Sequence, residues 1–430
     1  MKHKTIEISE DTPLWIDLGN GLGKWIPLDK ISYVTEFDDV NKEYKSYHKI
    51  VLPKMYPWEV ESVKIIKKRK IMNNVDKQYL DLLRDVLENG SERKTRSGLV
   101  KSVFGPMMRF DLKEGLPLLT TKKVSTKGII HELLWFISGS TNIKYLVDNG
   151  VNIWNDDAFR YYNDIAVRND KCMDERMVKM GYHILYGISK EDFLEKVKSG
   201  EKVRVVHCVD GEKQESEYKY GDLGAMYGKN WRHFGSSGKD QIKEVVNLLR
   251  NDPTSRRIIL TCYDPDTVDE AALYPCHIMY QFYTKELTLG ERIDLYKESL
   301  NEGEQCNVTE TFLNYIGIPK YKLSCMLNIR SNDLPLGCPY NICSAALLTH
   351  MFAHVCNMTV DELVYIGGDC HIYENQLDGV NEQLKRSGSN VLPQLNIQGE
   401  IRSMDDFKYD SFLIYNYHPD ASIKFPLSVG

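Results

Sequence analysis

From about residue 75 the apolar positions recur with two distinct periods. Tyr79, Leu82, Leu83 and Val86 fall at helical spacing, with Asp76 as the expected cap and Gly90 as the stop. A strand-like segment VKSVFGPMMRFDL follows, then PLLTTKK and a predicted helix GIIHELLWFISG; Asn142 through Leu146 reads as helical again. DQIKEVVNLLR carries Ile242, Val245, Val246 and Leu249 on one stripe. RRIILTCYD, CHIMYQFYT and YKLSCMLNIRS read as strands, and in the last Tyr321, Leu323, Cys325, Leu327 and Ile329 alternate with the other positions. ICSAALLTHMFAHVC places Leu348, Met351, Phe352 and Val355 at i, i+3, i+4 and i+7, which predicts a buried helix. Strands and helices come in mixed order, without repeats or βαβ regularity, so the predicted class is α+β.

Residues 1–73 differ in texture. Short alternating runs (KTIEI, KWIPL, ISYV, KIVL) sit between Gly, Pro and Asp turns and end in the basic stretch KIIKKRK, residues 64–70. This predicts a small strand-rich appendage and a solvated hinge ahead of a domain over 74–430. Two hydrophilic stretches, about 160–218 and 288–318, read as insertions within that domain.

Composition narrows the function classes. A 430-residue chain with 42% hydrophobic and 27% charged residues has ample core material. A net charge of −6 argues against a general nucleic-acid or anionic-membrane binder, while leaving room for a local basic pocket. The start MKHKTIEISEDTP has no apolar signal region, and runs such as IIHELLWFI are too short to span a bilayer. The ten cysteines form no tight pattern and read as reduced thiols of a cytoplasmic protein. In that setting the NVT and NMT sequons at 307 and 357 are incidental.

The chemistry-bearing residues cluster late in the chain: Pro-Cys-His at 275–277, RSNDLPLGCPYN at 330–341 and GGDCHIY at 367–373. A thiol attacks only as thiolate, so Cys276 needs a nearby cation; His277 or an arginine brought close in space are the candidates. His207-Cys208, Cys276-His277 and Cys370/His371 lack metal-site spacing, so no metal is expected. No Gly-rich phosphate loop is present, so a phosphate has to be gripped by side chains. Arg256, Arg257 and Arg330 have the planar fork suited to it.

HELLWFISGSTNIKYL, NIW, GDLGAMYGKNWRHFG, DPTSRRIIL, YPCHIMYQFY, LSCMLNIRSNDLPLGCPYNICSAALLTHMFAH, GGDCHIYENQ and the C-terminal IYNYHPDASIKFPLSVG occur in the order and approximate spacing of thymidylate synthases. The resemblance covers roughly residues 75–430 apart from the two insertions. It implies one α+β domain with a large, mostly antiparallel mixed sheet, assembled as an obligate homodimer. It implies a reaction in which dUMP is methylated to dTMP with 5,10-methylenetetrahydrofolate. The alternative is a dUMP hydroxymethyltransferase using the same folate.

By resemblance, Cys276 is the nucleophile for carbon 6 of the uracil ring, with Arg330 beside it and also on the phosphate. Ser331 and Arg96 join the phosphate, Arg93 being the other option for Arg96, and Arg256 and Arg257 reach it from the partner subunit. Asn341 reads the base; its amide offers a donor and an acceptor, which suits uracil rather than cytosine. His371 and Tyr373 hold the deoxyribose hydroxyl. Glu132 organises proton transfer at the pyrimidine carbonyl, with Tyr227 and His277 in the relay. Asp333 bonds the pterin of the folate, Ile153, Trp154, Leu336, Gly337 and Tyr340 line its wall, and Lys122 meets its glutamate tail. Three features depart from the family pattern: Thr95-Arg96 in the phosphate loop, Ile329 before Arg330-Ser331, and a tail lengthened around Asp420–Ser422 and ending at Gly430.

Overall fold

A computed structural model describes residues 72–427, apart from 174, 184, 186, 210, 211, 299 and 301–307; within 1–71 it describes six strands by their backbone alone. The chain divides into two compact units, Met1–Met72 and Asn73–Gly430. In the first, β1 (Lys4–Ile8) pairs in parallel with β6 (Val63–Lys67), while β2 (Leu14–Asp17) with β3 (Gly23–Ile26) and β4 (Ile31–Asp38) with β5 (Glu43–Ile50) are antiparallel pairs. The side chains of the basic run 64–70 lie outside the described residues.

The second unit opens with α1 (Asn74–Asn89), β7 (Ser91–Thr95), β8 (Gly98–Phe104) and β9 (Met107–Asp111). Then come α2 (Thr126–Ile137), α3 (Lys144–Asp148), α4 (Asn155–Cys172), α5 (Glu175–Lys179) and α6 (Lys190–Ser199). A hairpin of β10 (Lys202–Val209) and β11 (Glu212–Lys219) leads to α7 (Tyr227–Arg232), α8 (Gln241–Asn251) and β12 (Ile259–Thr261). β13 (His277–Glu286), α9 (Leu289–Glu298), α10 (Glu310–Tyr315), β14 (Tyr321–Asp333), α11 (Gly337–Val355) and β15 (Thr359–Tyr373) complete the part that builds the site. The first stretch expected as an insertion is therefore the rest of α4, two further helices and a hairpin; the second carries α9 and α10.

The main sheet has seven strands in the order β12-β13-β14-β15-β8-β7, with β9 alongside β15. Every pairing in it is antiparallel except β14 with β15, which α11 joins as a crossover. The class is α+β, as the pattern predicts. α11 is buried almost all round, as a helix without a polar stripe must be. It packs on the alternating row Leu323, Cys325, Leu327 and Ile329, all buried, and Phe352 meets Phe282 edge to face with ring centroids 4.9 Å apart.

One capping assignment is corrected. Asn73, not Asp76, caps α1, its side chain accepting the Asp76 N–H. Asp76 is wholly buried and accepts the backbone N–H groups and hydroxyls of Thr120 and Thr121, a full set of donors for a desolvated carboxylate. Both side chains have cap chemistry, and only the packing of residues 120–121 against α1 separates them. Among the described residues, no helix is long and apolar enough to cross a membrane.

Candidate active site

Three neighbouring strands deliver the site. Cys276 immediately precedes β13, Arg330, Ser331 and Asp333 end β14, and Asp369, His371 and Tyr373 end β15. The register sets Ser331 beside Asp369 and Asp333 beside His371, and the Arg330 N–H donates to the Cys276 carbonyl at 2.9 Å. The backbones are tight here: a Cβ on Gly368 would stand 2.5 Å from the Arg330 carbonyl oxygen, so only glycine fits. These ends open on a cavity of about 890 Å³ lined by Cys276, Arg330, Ser331, Asp333, His371 and Tyr373. Its size is that of a small-molecule site. Arg96 joins it from the turn after β7, whereas Arg93 pairs with Asp369 at 2.8 Å.

Arg330 is the cation beside the thiol. Its guanidinium is fixed by the carbonyls of Pro275 (2.9 Å) and Tyr274 (2.7 Å), and Nη2 lies 4.0 Å from Cys276 Sγ. Burial pushes the thiol up and Arg330 pulls it down; burial is the larger effect, so the thiol is held above its ordinary range, against the expected lowering. His277 does not help. It is buried and pushed down to about 4, hence neutral, and the reading of it as the activating cation is withdrawn. Its Nε2 faces the Asn341 amide nitrogen at 2.7 Å and its Nδ1 the Tyr280 hydroxyl at 2.9 Å. With the amide donating, Nε2 accepts and Nδ1 carries the proton.

A buried layer backs the thiol. The Cys276 N–H donates to the Tyr227 hydroxyl at 2.7 Å, and burial holds that phenol well above its ordinary range. The Tyr227 ring meets His277 at 5.1 Å and Trp154 at 6.3 Å between centroids. Trp154 Nε1 donates to Glu132 at 2.8 Å, and burial raises that carboxyl from 4.5 to about 7. A carboxyl poised near neutrality is an acid–base group in waiting.

Asp333 accepts from the Leu336 N–H and from Gln376 Nε2, both at 3.0 Å; burial nonetheless raises its carboxyl. Leu336 and Gly337 sit at the start of α11, Tyr340 one turn later, and Ile153 is partly exposed at 37%. None of these four, nor Lys122, is among the cavity-lining residues. Lys122 is buried, donates to the Pro335 carbonyl, and is pushed down to about 8 by burial. Its expected place on a flexible glutamate tail needs an exposed ammonium, which the structure does not provide. Arg256 and Arg257 are exposed and lie outside the cavity of their own chain.

The sequence reading missed the contribution of α4. Asp157, Arg160 and Arg168 also line the cavity, and Arg160 bonds Asp157, Asp164 and the Ala272 carbonyl. Ion-pair spacing at i+3 and i+4 was the available signal, but it marks any solvated helix face equally. Among the described residues, no group of three or more His, Cys, Asp or Glu side chains could hold a metal ion.

Residues 77–429 match the family model described as thymidylate synthase. The chain belongs to the thymidylate synthase family. Thymidylate synthases from the FTNF002-00/FTA, OSU18 and LVS strains of Francisella tularensis subsp. holarctica are each 36% identical over 367 residues, which is 82% of this chain and 100% of theirs. The thymidylate synthase match spans every site residue named above and leaves residues 1–76 outside. The family and these relatives together make the chain a thymidylate synthase enzyme.

Proposed function

We propose that this enzyme methylates dUMP at carbon 5 to give dTMP, through a covalent bond between Cys276 and carbon 6 of the ring. The observation that carries the reading is a half-buried thiol 4.0 Å from a guanidinium clamped by two carbonyls, both opening on one cavity. 5,10-Methylenetetrahydrofolate, when bound, supplies the one-carbon unit and the hydride.

Addition of sulfur to carbon 6 saturates the ring and turns carbon 5, a poor nucleophile in uracil, into an enolate-like one. Because the free thiol is held protonated by burial, its ionisation belongs to the bound state, where Arg330 meets both sulfur and phosphate. Arg96 and Ser331 complete the phosphate grip within the chain. Arg256 and Arg257, exposed on their own subunit, supply it across a homodimer. Asn341 reads the uracil edge while neutral His277, locked by Tyr280, orients that amide. His371 and Tyr373 take the deoxyribose hydroxyl, and Asp333 takes the pterin. Glu132, half-protonated near pH 7, shuttles protons at the pyrimidine carbonyl.

The test is direct. The protein is incubated with dUMP and methylenetetrahydrofolate, and the nucleotide product is weighed by mass spectrometry. dTMP with an equivalent of dihydrofolate is expected. 5-Hydroxymethyl-dUMP without dihydrofolate would replace methylation by the hydroxymethyl reading, and the absence of any Cys276 adduct with 5-fluoro-dUMP and the folate would remove both.

A further inference from the structure

Alternate residues of a strand share a face, and Asp369, His371 and Tyr373 of β15 all line the cavity. Asp369 divides its two oxygens between neighbours of different kinds. Oδ2 accepts from Arg93 Nη1 at 2.8 Å, although β7, which carries Arg93, is separated from β15 by β8. Oδ1 faces His371 Nδ1 at 3.2 Å. An ionised carboxylate only accepts, so Nδ1 is the nitrogen that carries the proton, and the neutral ring keeps its lone pair on Nε2. The ring itself is held firmly. It is buried, it meets Tyr373 edge to face with centroids 5.1 Å apart, and the Leu334 N–H donates to the His371 carbonyl at 2.9 Å. Among the described residues Nε2 has no hydrogen-bond partner.

We propose that Arg93 and Asp369 are positioning residues that fix the tautomer of His371, so that the site reads the sugar 3′-hydroxyl as a hydrogen-bond donor. The inference rests on the reading of dUMP as the substrate and of His371 as its sugar contact. A hydroxyl donates to the Nε2 lone pair and still accepts from Tyr373. A 3′-group that only accepts sets lone pair against lone pair and is rejected. Arg93 gives this device its direction. A guanidinium has five donors and no acceptor, so an amide in place of Asp369 has to turn its carbonyl oxygen toward Arg93. Its N–H₂ then faces His371, Nδ1 becomes the acceptor, and the proton moves to Nε2. The most conservative exchange at 369 therefore reverses what the site reads. Without Arg93 the same amide is free to turn its oxygen back to Nδ1.

The test compares dissociation constants for dUMP and for 3′-fluoro-2′,3′-dideoxyuridine 5′-monophosphate, whose fluorine accepts and never donates, at pH 8. The unaltered chain should prefer dUMP roughly 5- to 150-fold, the value of leaving a buried acceptor unpaired. Asp369→Asn should bring that ratio close to one, and Asp369→Asn combined with Arg93→Met should restore much of it. The ratio is the readout because a merely loosened site weakens both nucleotides alike. Nitrogen NMR of labelled histidine, with the His371 signals identified by their loss in His371→Gln, should show the proton on Nδ1 in the unaltered chain and on Nε2 in Asp369→Asn. An unchanged ratio in Asp369→Asn, or a proton on Nε2 of the unaltered chain, would overturn the proposal. A double variant that behaves like Asp369→Asn would overturn the part given to Arg93. Should Asp369→Asn fail to fold, Asp369→Ala releases Nδ1 and should lower the ratio; no change there overturns the proposal equally. If the unaltered chain does not bind dUMP, the parent reading falls and this one with it; if it binds dUMP and the ratio ignores residue 369, only this one falls.

Discussion

Glu132 gives the most demanding prediction, because its position costs stability in a way that pH reveals. Burial raises its carboxyl from 4.5 to about 7, so between those values the native chain keeps a proton that the unfolded chain has released. Stability therefore falls as pH rises through this window and levels off above 7. At about 1.4 kcal/mol per pH unit, the rise from 4.5 to about 7 amounts to roughly 3 kcal/mol. Glu132→Gln keeps an acceptor for Trp154 Nε1, now at 2.8 Å, and removes the ionisation. Its extra amide N–H₂, if left without a partner, adds a penalty of about 1–3 kcal/mol that does not vary with pH. The signature is thus the slope. Urea unfolding of the two proteins, followed from about pH 4.5 to 8, should show the variant gaining about 3 kcal/mol on the parent across the window. The same variant should turn over dUMP about 10²- to 10⁴-fold more slowly, the usual loss of a general acid–base group. A difference in stability that stays constant over that pH range would refute the raised carboxyl, and with it the proton-transfer role argued from it.

His277 should stay neutral well into acid: nitrogen NMR of the labelled ring should show no protonation until pH approaches about 4, and a titration near 6.5 would overturn its burial as the controlling effect. Its depressed value has the opposite linkage to Glu132, since below 6.5 the unfolded chain takes up a proton that the native chain refuses, so stability falls as pH falls toward 4. Phe352→Ala should cost about 3–5 kcal/mol in urea unfolding, because the ring is wholly buried between α11 and β13 against Phe282. A loss below about 1 kcal/mol would mean that the helix–sheet interface collapses into the space.

Local patterns carried a good part of this architecture. Of the stripe Ile242, Val245, Val246 and Leu249, all but Val246 are buried on α8, Val246 lying half-buried at its edge, and Asp240 caps the helix in front of it. The alternation in β14 holds for Leu323, Cys325, Leu327 and Ile329, all buried, since period-two burial is a property of the strand itself; Tyr321 at the strand's start is only half-buried, and Ser324 between the row's members is buried too. Motif order was enough to place the chain in its family and to single out Cys276. The same local evidence failed wherever two candidates had equal intrinsic chemistry. Asn73 and Asp76 are both good caps, and the choice is made by Thr120 and Thr121, 44 and 45 residues from Asp76.

His277 adjoins Cys276, yet burial strips the ring of the charge its sequence position suggested. Arg330, 54 residues away, is the cation that strand pairing brings to the sulfur. Gln376 carries no chemical signal in the sequence, and only the structure shows it standing between Asp333 and the Pro426 carbonyl. The amino-acid order by itself determined most of the periodicity and the family, and it singled out the nucleophile proposed here, because these depend on neighbours within a turn or a motif. Which charges survive, and which groups meet, was decided by tertiary structure, because desolvation and strand register exist only once distant segments have packed.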